Sequence, residues 1–313
     1  MKKFFCTALI LAVAVLSAAA QQPMQPSSTY LYAQRDTCDL YLDVYNPARV
    51  EAADSLSRPT IIFAFGGGFK EGRRDSPHDV AWFSRLASDG FRVISIDYRL
   101  GLNGARNIGV AQWKTVYNAV QIATEDLFSA TSFIIENADE LGVDPSNLVI
   151  SGSSAGAITA MQAEWELCNR TALASALPED FRYAGVMAFA GAVFSTEGPV
   201  KYDRAPDPTL MIHGTVDKIV DYREISFFSI HFSGAGVLSR EFAKKSDCYR
   251  VLRYKDHGHE MASAEMQCYD EEMLFLEQNV MRKKNIVVDA TITDPTIPVP
   301  DWAKGKTGKD LYK

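Results

Sequence analysis

Short β-branched, apolar runs alternate along this chain with stretches of helical periodicity, which predicts an α/β fold with a mostly parallel central sheet and helices on both faces. Runs such as Thr60-Ile61-Ile62-Phe63-Ala64-Phe65 and Phe91-Arg92-Val93-Ile94-Ser95-Ile96 are apolar on both sides of the pleat, as in strands covered from both faces. The connections between these elements are mostly short, which leaves no room for a large cap domain. With 313 residues, 47% of them hydrophobic, the chain can bury one large core.

The elements are expected in the following order. Charged Met1-Lys2-Lys3 precedes an apolar stretch that ends in Ala18-Ala19-Ala20, the order of a secretory signal peptide over residues 1–20. A secreted or periplasmic protein is therefore expected, with no stable membrane insertion after cleavage. An uncleaved anchor is the alternative, because the stretch nearly reaches the roughly 20 residues that span a bilayer. The catalytic domain is placed at 21–284. Residues 40–45 alternate like an edge strand and stop at Asn46-Pro47. Buried strands are expected at 60–65, 91–96, 148–151, 185–190, 210–212 and 249–254. Helices are expected at 80–87, 116–141, 155–167, 222–232, 237–245 and 260–281. The tail, 285–313, holds Pro295, Pro298 and Pro300 and reads as an irregular or strand-like segment packed on the domain or fraying from it. Residues 101–113 are the best candidate for a small cover over an otherwise open site.

The formal net charge is −7, and it becomes more acidic once Lys2 and Lys3 depart. Such a chain is poorly suited to nucleic acid or an anionic membrane. Cys38, Cys168, Cys248 and Cys268 remain after the leader, an even number that permits three pairings in an oxidising compartment. A Cys248–Cys268 bridge would brace the loop that holds His257 and His259; otherwise these cysteines act as small apolar side chains.

The chemistry is concentrated in three places. Gly152-Ser153-Ser154-Ala155-Gly156 lies between a strand and a helix, where such a pentapeptide makes a tight turn that exposes a serine hydroxyl. Ser154 is the candidate nucleophile, against the plainer possibility that Ser153 or Ser154 merely caps the helix. Gly66-Gly67-Gly68-Phe69 follows the strand ending at Phe65. Glycines there let backbone amides turn inward, so Gly67 and Gly68, with Ala155, are the candidate oxyanion donors. A flexible turn is the plainer reading. A phosphate loop is excluded because no Lys-Ser or Lys-Thr pair follows at the required spacing. Asp217 closes a strand and turn and is placed to orient a histidine, with Asp221 a poorer rival; Asp217 could instead only cap a helix. His259, after the final strand, is the candidate base, with His257 the second choice. His78, His213 and His231 read as structural. The order Ser154, Asp217, His259 permits attack on a carbonyl by serine, proton transfer by histidine and orientation by aspartate.

On these motifs, together with Asp97-Tyr98-Arg99-Leu100, Asp144-Pro145 and Gly258-His259, the chain resembles the α/β-hydrolases of the carboxylesterase and hormone-sensitive-lipase-like kind from about residue 40 to residue 281. Two departures stand out. Phe65 and Ser153 occupy places where such esterases usually carry a histidine and an acid, so packing must hold the oxyanion loop here. The resemblance implies a serine carboxylesterase acting on short-chain or small aromatic esters, with acetyl or feruloyl groups linked to carbohydrate among them. No cysteine and histidine spacing suggests zinc and no dinucleotide fingerprint follows a strand, so no cofactor and no metal is expected. A serine peptidase of the prolyl-oligopeptidase type and a binding protein on a catalytically dead esterase scaffold are the competing readings. Asn169-Arg170-Thr171 matches a glycosylation acceptor and is assigned no role.

Overall fold

Parallel pairing dominates the computed structural model, which describes residues 24–48 and 56–312; the expected signal peptide lies outside the described residues. The amino-terminal strands β1 (Ser28–Gln34) and β2 (Asp39–Tyr45) form an antiparallel pair, and β3 (Thr60–Ala64), α1 (Pro77–Ser88) and β4 (Arg92–Ile96) follow. Next come α2 (Trp113–Glu136), α3 (Ala138–Leu141), β5 (Leu148–Ser153), α4 (Ala155–Cys168), β6 (Gly185–Phe189), β7 (Ala192–Ser195) and β8 (Thr209–Gly214). The chain continues through β9 (Glu224–Phe227), β10 (Ile230–Gly234), α5 (Ala235–Lys245), β11 (Tyr249–Tyr254), α6 (Tyr269–Phe275) and β12 (Val287–Ile292).

Nine strands form one sheet in the order β1-β2-β4-β3-β5-β6-β8-β11-β12, parallel from β4 onward. The chain runs from β3 outward to β4 and then returns to place β5 on the other side of β3. That reversal opens a crevice at the carboxyl ends of β3 and β5, where α/β folds bind ligands. Every residue of β3, β5, β6 and β8 is buried, so both faces of the sheet are covered. On one side, Trp82 of α1 donates its indole N–H to Glu272 of α6 at 2.8 Å, packs tilted against Phe63 and meets Phe189 edge-on. On the other, α2 and α4 pack together.

Four expectations need correction. Residues 40–45 are not the edge, because β1 pairs outside them. The helix expected at 116–141 breaks at Asn137 into α2 and α3. The helix expected at 260–281 is a 3₁₀ turn (His259–Ser263), α6 and a π-turn (Leu276–Met281). Residues 222–232 are the hairpin β9–β10 and form a separate three-stranded sheet with β7. Apolar residues at 225, 228 and 232 imitate a helical stripe, but Ile225, Phe227, Ile230 and Phe232 alternate about a tight turn at Phe228 and Ser229. Cross-strand pairing of Ile225 with Phe232 and of Phe227 with Ile230 uses that alternation. Among the described residues the cysteines are unpaired: Cys248 and Cys268 are buried apart, and Cys268 donates its thiol to the Tyr254 hydroxyl.

Inside α4, Glu164 is fully enclosed beside Asp207. Burial, and then the Asp207 charge, raises its carboxyl pKa far above the usual range. Burial raises that of Asp79 to about 6. A carboxyl with a raised folded-state pKa holds a proton that the unfolded chain has already released. Its stabilising contribution is complete below the unfolded pKa and is lost as pH rises through the folded one. The thermal midpoint is therefore expected to fall between pH 5 and pH 9, and Glu164→Gln to flatten that fall. Calorimetry across the range tests this, and equal slopes for the two proteins would refute it.

Candidate active site

Ser154 stands between β5 and α4 at φ 50° and ψ −113°, a conformation that costs on the order of 1–3 kcal/mol for a residue with a side chain. Its amide donates to the Phe189 carbonyl at 2.9 Å, which fixes the turn against β6. The strain lifts the hydroxyl out of the strand end toward the crevice. Ser154 Oγ lies 2.8 Å from His259 Nε2, and His259 Nδ1 lies 2.8 Å from Asp217 Oδ2. With the imidazole proton on Nδ1 donated to Asp217, Nε2 is free to accept the serine proton. All three residues are buried.

Asp217 is held from several directions. Its Oδ1 accepts the amides of Ile219 and Val220 at 2.8 and 3.2 Å. His213 Nε2 lies 3.3 Å from Oδ2 and 3.1 Å from the Val220 carbonyl. Burial pushes the Asp217 carboxyl pKa up, but the hydrogen bonds from His213 and His259 outweigh burial and keep it well below the usual range. The carboxylate is thus ionised at neutral pH, as orienting an imidazolium requires.

The glycine-rich loop passes directly beside the serine, since a methyl group on Gly66 would come within 3.5 Å of Ser154 Cβ. Four of the loop's carbonyls are engaged. Tyr98 donates its hydroxyl to Phe65 O at 2.7 Å, the amides of Lys70 and Glu71 donate to Gly67 O, Tyr312 donates its hydroxyl to Gly68 O at 2.8 Å, and Leu102 N donates to Phe69 O at 2.8 Å. Phe65 also stacks on Tyr98 with centroids 4.4 Å apart. No described acceptor takes the Gly67 or Gly68 amide, and Ala155 at the first position of α4 carries one of that helix's orphan N–H groups. These amides are available to an oxyanion.

Ser153 has a role that sequence reasoning missed. It donates its hydroxyl to the Ala262 carbonyl at 2.5 Å and so ties the serine turn to the 3₁₀ turn that begins at His259. The other histidines face elsewhere. His257 contacts Glu260 and the Asp294 carbonyl, His231 contacts Glu224, and His78 contacts Glu265. Asp221 accepts the Arg223 amide in its own turn.

Two cavities meet at Ser154. One, of about 380 Å³, is walled mainly by apolar side chains, among them Trp113, Ile158, Phe194, Ile225, Phe227 and Phe232. The other, of about 330 Å³, is lined by Lys70, Glu71, Arg73, His78, Asp79 and Trp302, among others. The expected cover contributes Ile108, Gly109, Val110 and Trp113 to this apolar cavity, but the β9–β10 hairpin and the segment from Thr307 to Tyr312 contribute as much. His78, Asp79 and Glu265 bring one donor atom each within 4.8 Å of one another, a group that could hold a cation. His78 Nε2 is already engaged by Glu265 at 3.2 Å.

Residues 42–191 match the BD-FAE family model. The chain is 30% identical over 123 residues to ethyl acetate hydrolase of Pseudomonas putida, covering 39% of this chain and 33% of that protein. It is 32% identical over 127 residues to carboxylesterase NlhH of Mycobacterium tuberculosis, covering 40% and 34%. Mouse neuroligin-2 is 29% identical over 152 residues, 43% of this chain and 17% of that protein. The matched part thus spans between 17% and 34% of these relatives' length. Among solved structures, the butyrate-bound esterase Est2 of Thermogutta terrifontis superposes with a TM-score of 0.58 at 19% identity, over 82% of this chain and 96% of that one. At that identity the likeness is one of fold.

Proposed function

We propose that this chain, an α/β-hydrolase similar over about 40% of its length to carboxylesterases, is an exported serine carboxylesterase. The observation that carries the reading is the hydrogen-bonded series Ser154, His259, Asp217 at the junction of an apolar cavity and a second one that carries charged side chains. Ser154 attacks the ester carbonyl while His259 takes its proton. The amides of Gly67, Gly68 and Ala155 receive the oxyanion, and His259 then protonates the leaving alcohol. Water repeats the sequence on the acyl-enzyme.

The apolar cavity receives the acyl group. Its volume and aromatic wall suit a butyryl-sized or cinnamoyl-type acid better than a long lipid chain. The second cavity, lined by Trp302 together with Lys70, Glu71, Arg73, His78 and Asp79, suits a hydroxyl-rich alcohol such as a sugar. The intact hydrogen-bonded geometry favours catalysis over a dead binding scaffold, and nothing in the site favours a peptidase.

Hydrolysis of p-nitrophenyl acetate, butyrate and decanoate, with methyl ferulate and acetylated xylan beside them, tests the reading. We expect butyrate to exceed decanoate by about tenfold or more in kcat/KM, since an ill-fitting chain forfeits a few kcal/mol of differential binding. A folded protein that hydrolyses none of these and takes no fluorophosphonate label would refute it.

A further inference from the structure

We propose, on the basis of that esterase reading, that Tyr312 is a positioning residue for the oxyanion loop and that neighbouring Leu311 divides the acyl site from the leaving-group site. The argument begins with Gly68, whose φ of 62° and lack of a side chain leave its peptide planes free to turn. Tyr312 donates its hydroxyl to Gly68 O at 2.8 Å, which holds the peptide plane joining Gly68 to Phe69; the Gly68 amide lies in the preceding plane, whose carbonyl, Gly67 O, takes the amides of Lys70 and Glu71, so the donor is held between two fastened planes. Burial raises the Tyr312 phenol to about 12, so the donor stays protonated at neutral and mildly alkaline pH. A methyl group on Gly68 would meet Tyr312 Oη at 3.4 Å and Leu311 Cδ1 at 3.5 Å, so both side chains lie directly over the glycine.

The segment is fastened to three parts of the site. Lys70 Nζ donates to Leu311 O at 2.6 Å and sits 5.9 Å over the Tyr312 ring. Asn107 N donates to Tyr312 O at 2.7 Å, joining the segment to the cover at 101–113. Gly308 N donates to Lys218 O at 2.9 Å, beside Asp217. Leu311 also lines both cavities, as do Gly68 and Ser154, and only Leu311 has a side chain long enough to act as a partition. Residues 308–312 therefore link the oxyanion loop to the turn that carries the acid.

The test uses full-length wild type, Tyr312→Phe and Leu311→Ala. Tyr312→Phe keeps the ring and removes only the donor. We expect its kcat on p-nitrophenyl butyrate to fall about tenfold or more, with KM within about twofold, because small displacements of stabilising groups act on the transition state. The inhibition constant of a matched trifluoromethyl ketone should rise in the same proportion. Leu311→Ala should reduce the preference for butyrate over decanoate by about fivefold. Hydrogen exchange in the peptide spanning residues 66–72 should quicken in Tyr312→Phe, and this reads the loop whether or not the protein hydrolyses esters. Unchanged exchange would overturn the proposal even if the esterase reading failed. With an active wild type, unchanged kcat and ketone affinity, or a rise in KM alone, would overturn the role of Tyr312. An unaltered chain-length profile in Leu311→Ala would overturn the partition.

Discussion

Ser154→Ala is expected to lower kcat on a short-chain aryl ester by about 10⁵- to 10⁶-fold, with KM and thermal midpoint close to wild type. The magnitude follows from the loss of the covalent route: without Oγ no acyl-enzyme forms, and only the oxyanion donors and substrate binding remain to favour the reaction. The fold should tolerate the change, because among the described residues the serine hydroxyl hydrogen-bonds to His259 alone and the turn is held by the Ser154 amide on Phe189 O. Asp217→Asn should cost less, about 10⁴-fold. An amide can still accept a hydrogen bond through one oxygen, but the native carboxylate receives His259 and His213 on Oδ2 and two backbone amides on Oδ1. One of those sets must face an NH₂ group in the variant. Steady-state kinetics with active-site titration measure both, and retention of more than a few per cent of activity in Ser154→Ala would place the nucleophile elsewhere.

Gly156→Ala is expected to destabilise the fold by about 3 kcal/mol or more, the upper range for forced overpacking. The added methyl would stand 1.9 Å from the Ala64 carbonyl oxygen and 2.7 Å from that of Phe65. Both obstacles are backbone, and β3 cannot recoil because it is paired on either side by β4 and β5. To make room α4 must lift from the sheet, carrying Ser154 away from His259. We expect a thermal midpoint lower by about 5 °C or more, together with loss of activity. In Gly109→Ala the new methyl meets nothing closer than 3.6 Å, and stability should remain within about 0.5 kcal/mol of wild type. Calorimetry of the two variants decides the matter, and equal midpoints would mean that the helix and strand do not approach as closely as described.

The parts of the molecule that could be read from sequence are those where local chemistry and tertiary position coincide. The serine turn announces itself because a tight strand-to-helix connection needs small residues at fixed offsets. Asp217 and His259 announce themselves because they follow strands. The β9–β10 hairpin was misread because Phe228 falls where a helical stripe would put an apolar residue. In fact Phe228 is 88% exposed at the turn, and the period-two pattern on either side is the true signal. The contributions of Ser153, His213 and Tyr312 could not be read at all. Ser153 and Tyr312 depend on carbonyls 109 and 244 positions away, which no local pattern marks, and His213 depends on how the turn after its own strand folds Asp217 and Val220 back onto it.

The three-stranded sheet of β7, β9 and β10 stands outside the nine-stranded one, yet it supplies Phe194, Ile225, Phe227, Ile230 and Phe232 to the apolar cavity. The hydrogen-bonded series Ser154, His259, Asp217 rests on the large sheet, whereas the shape of the cavity proposed to take the acyl group rests on this appendage. What the protein accepts and how it reacts are therefore built on separate foundations. On the proposed esterase reading, the hairpin can be reshaped residue by residue, exchanging one acyl preference for another, while Ser154 and its partners stay where the main sheet holds them.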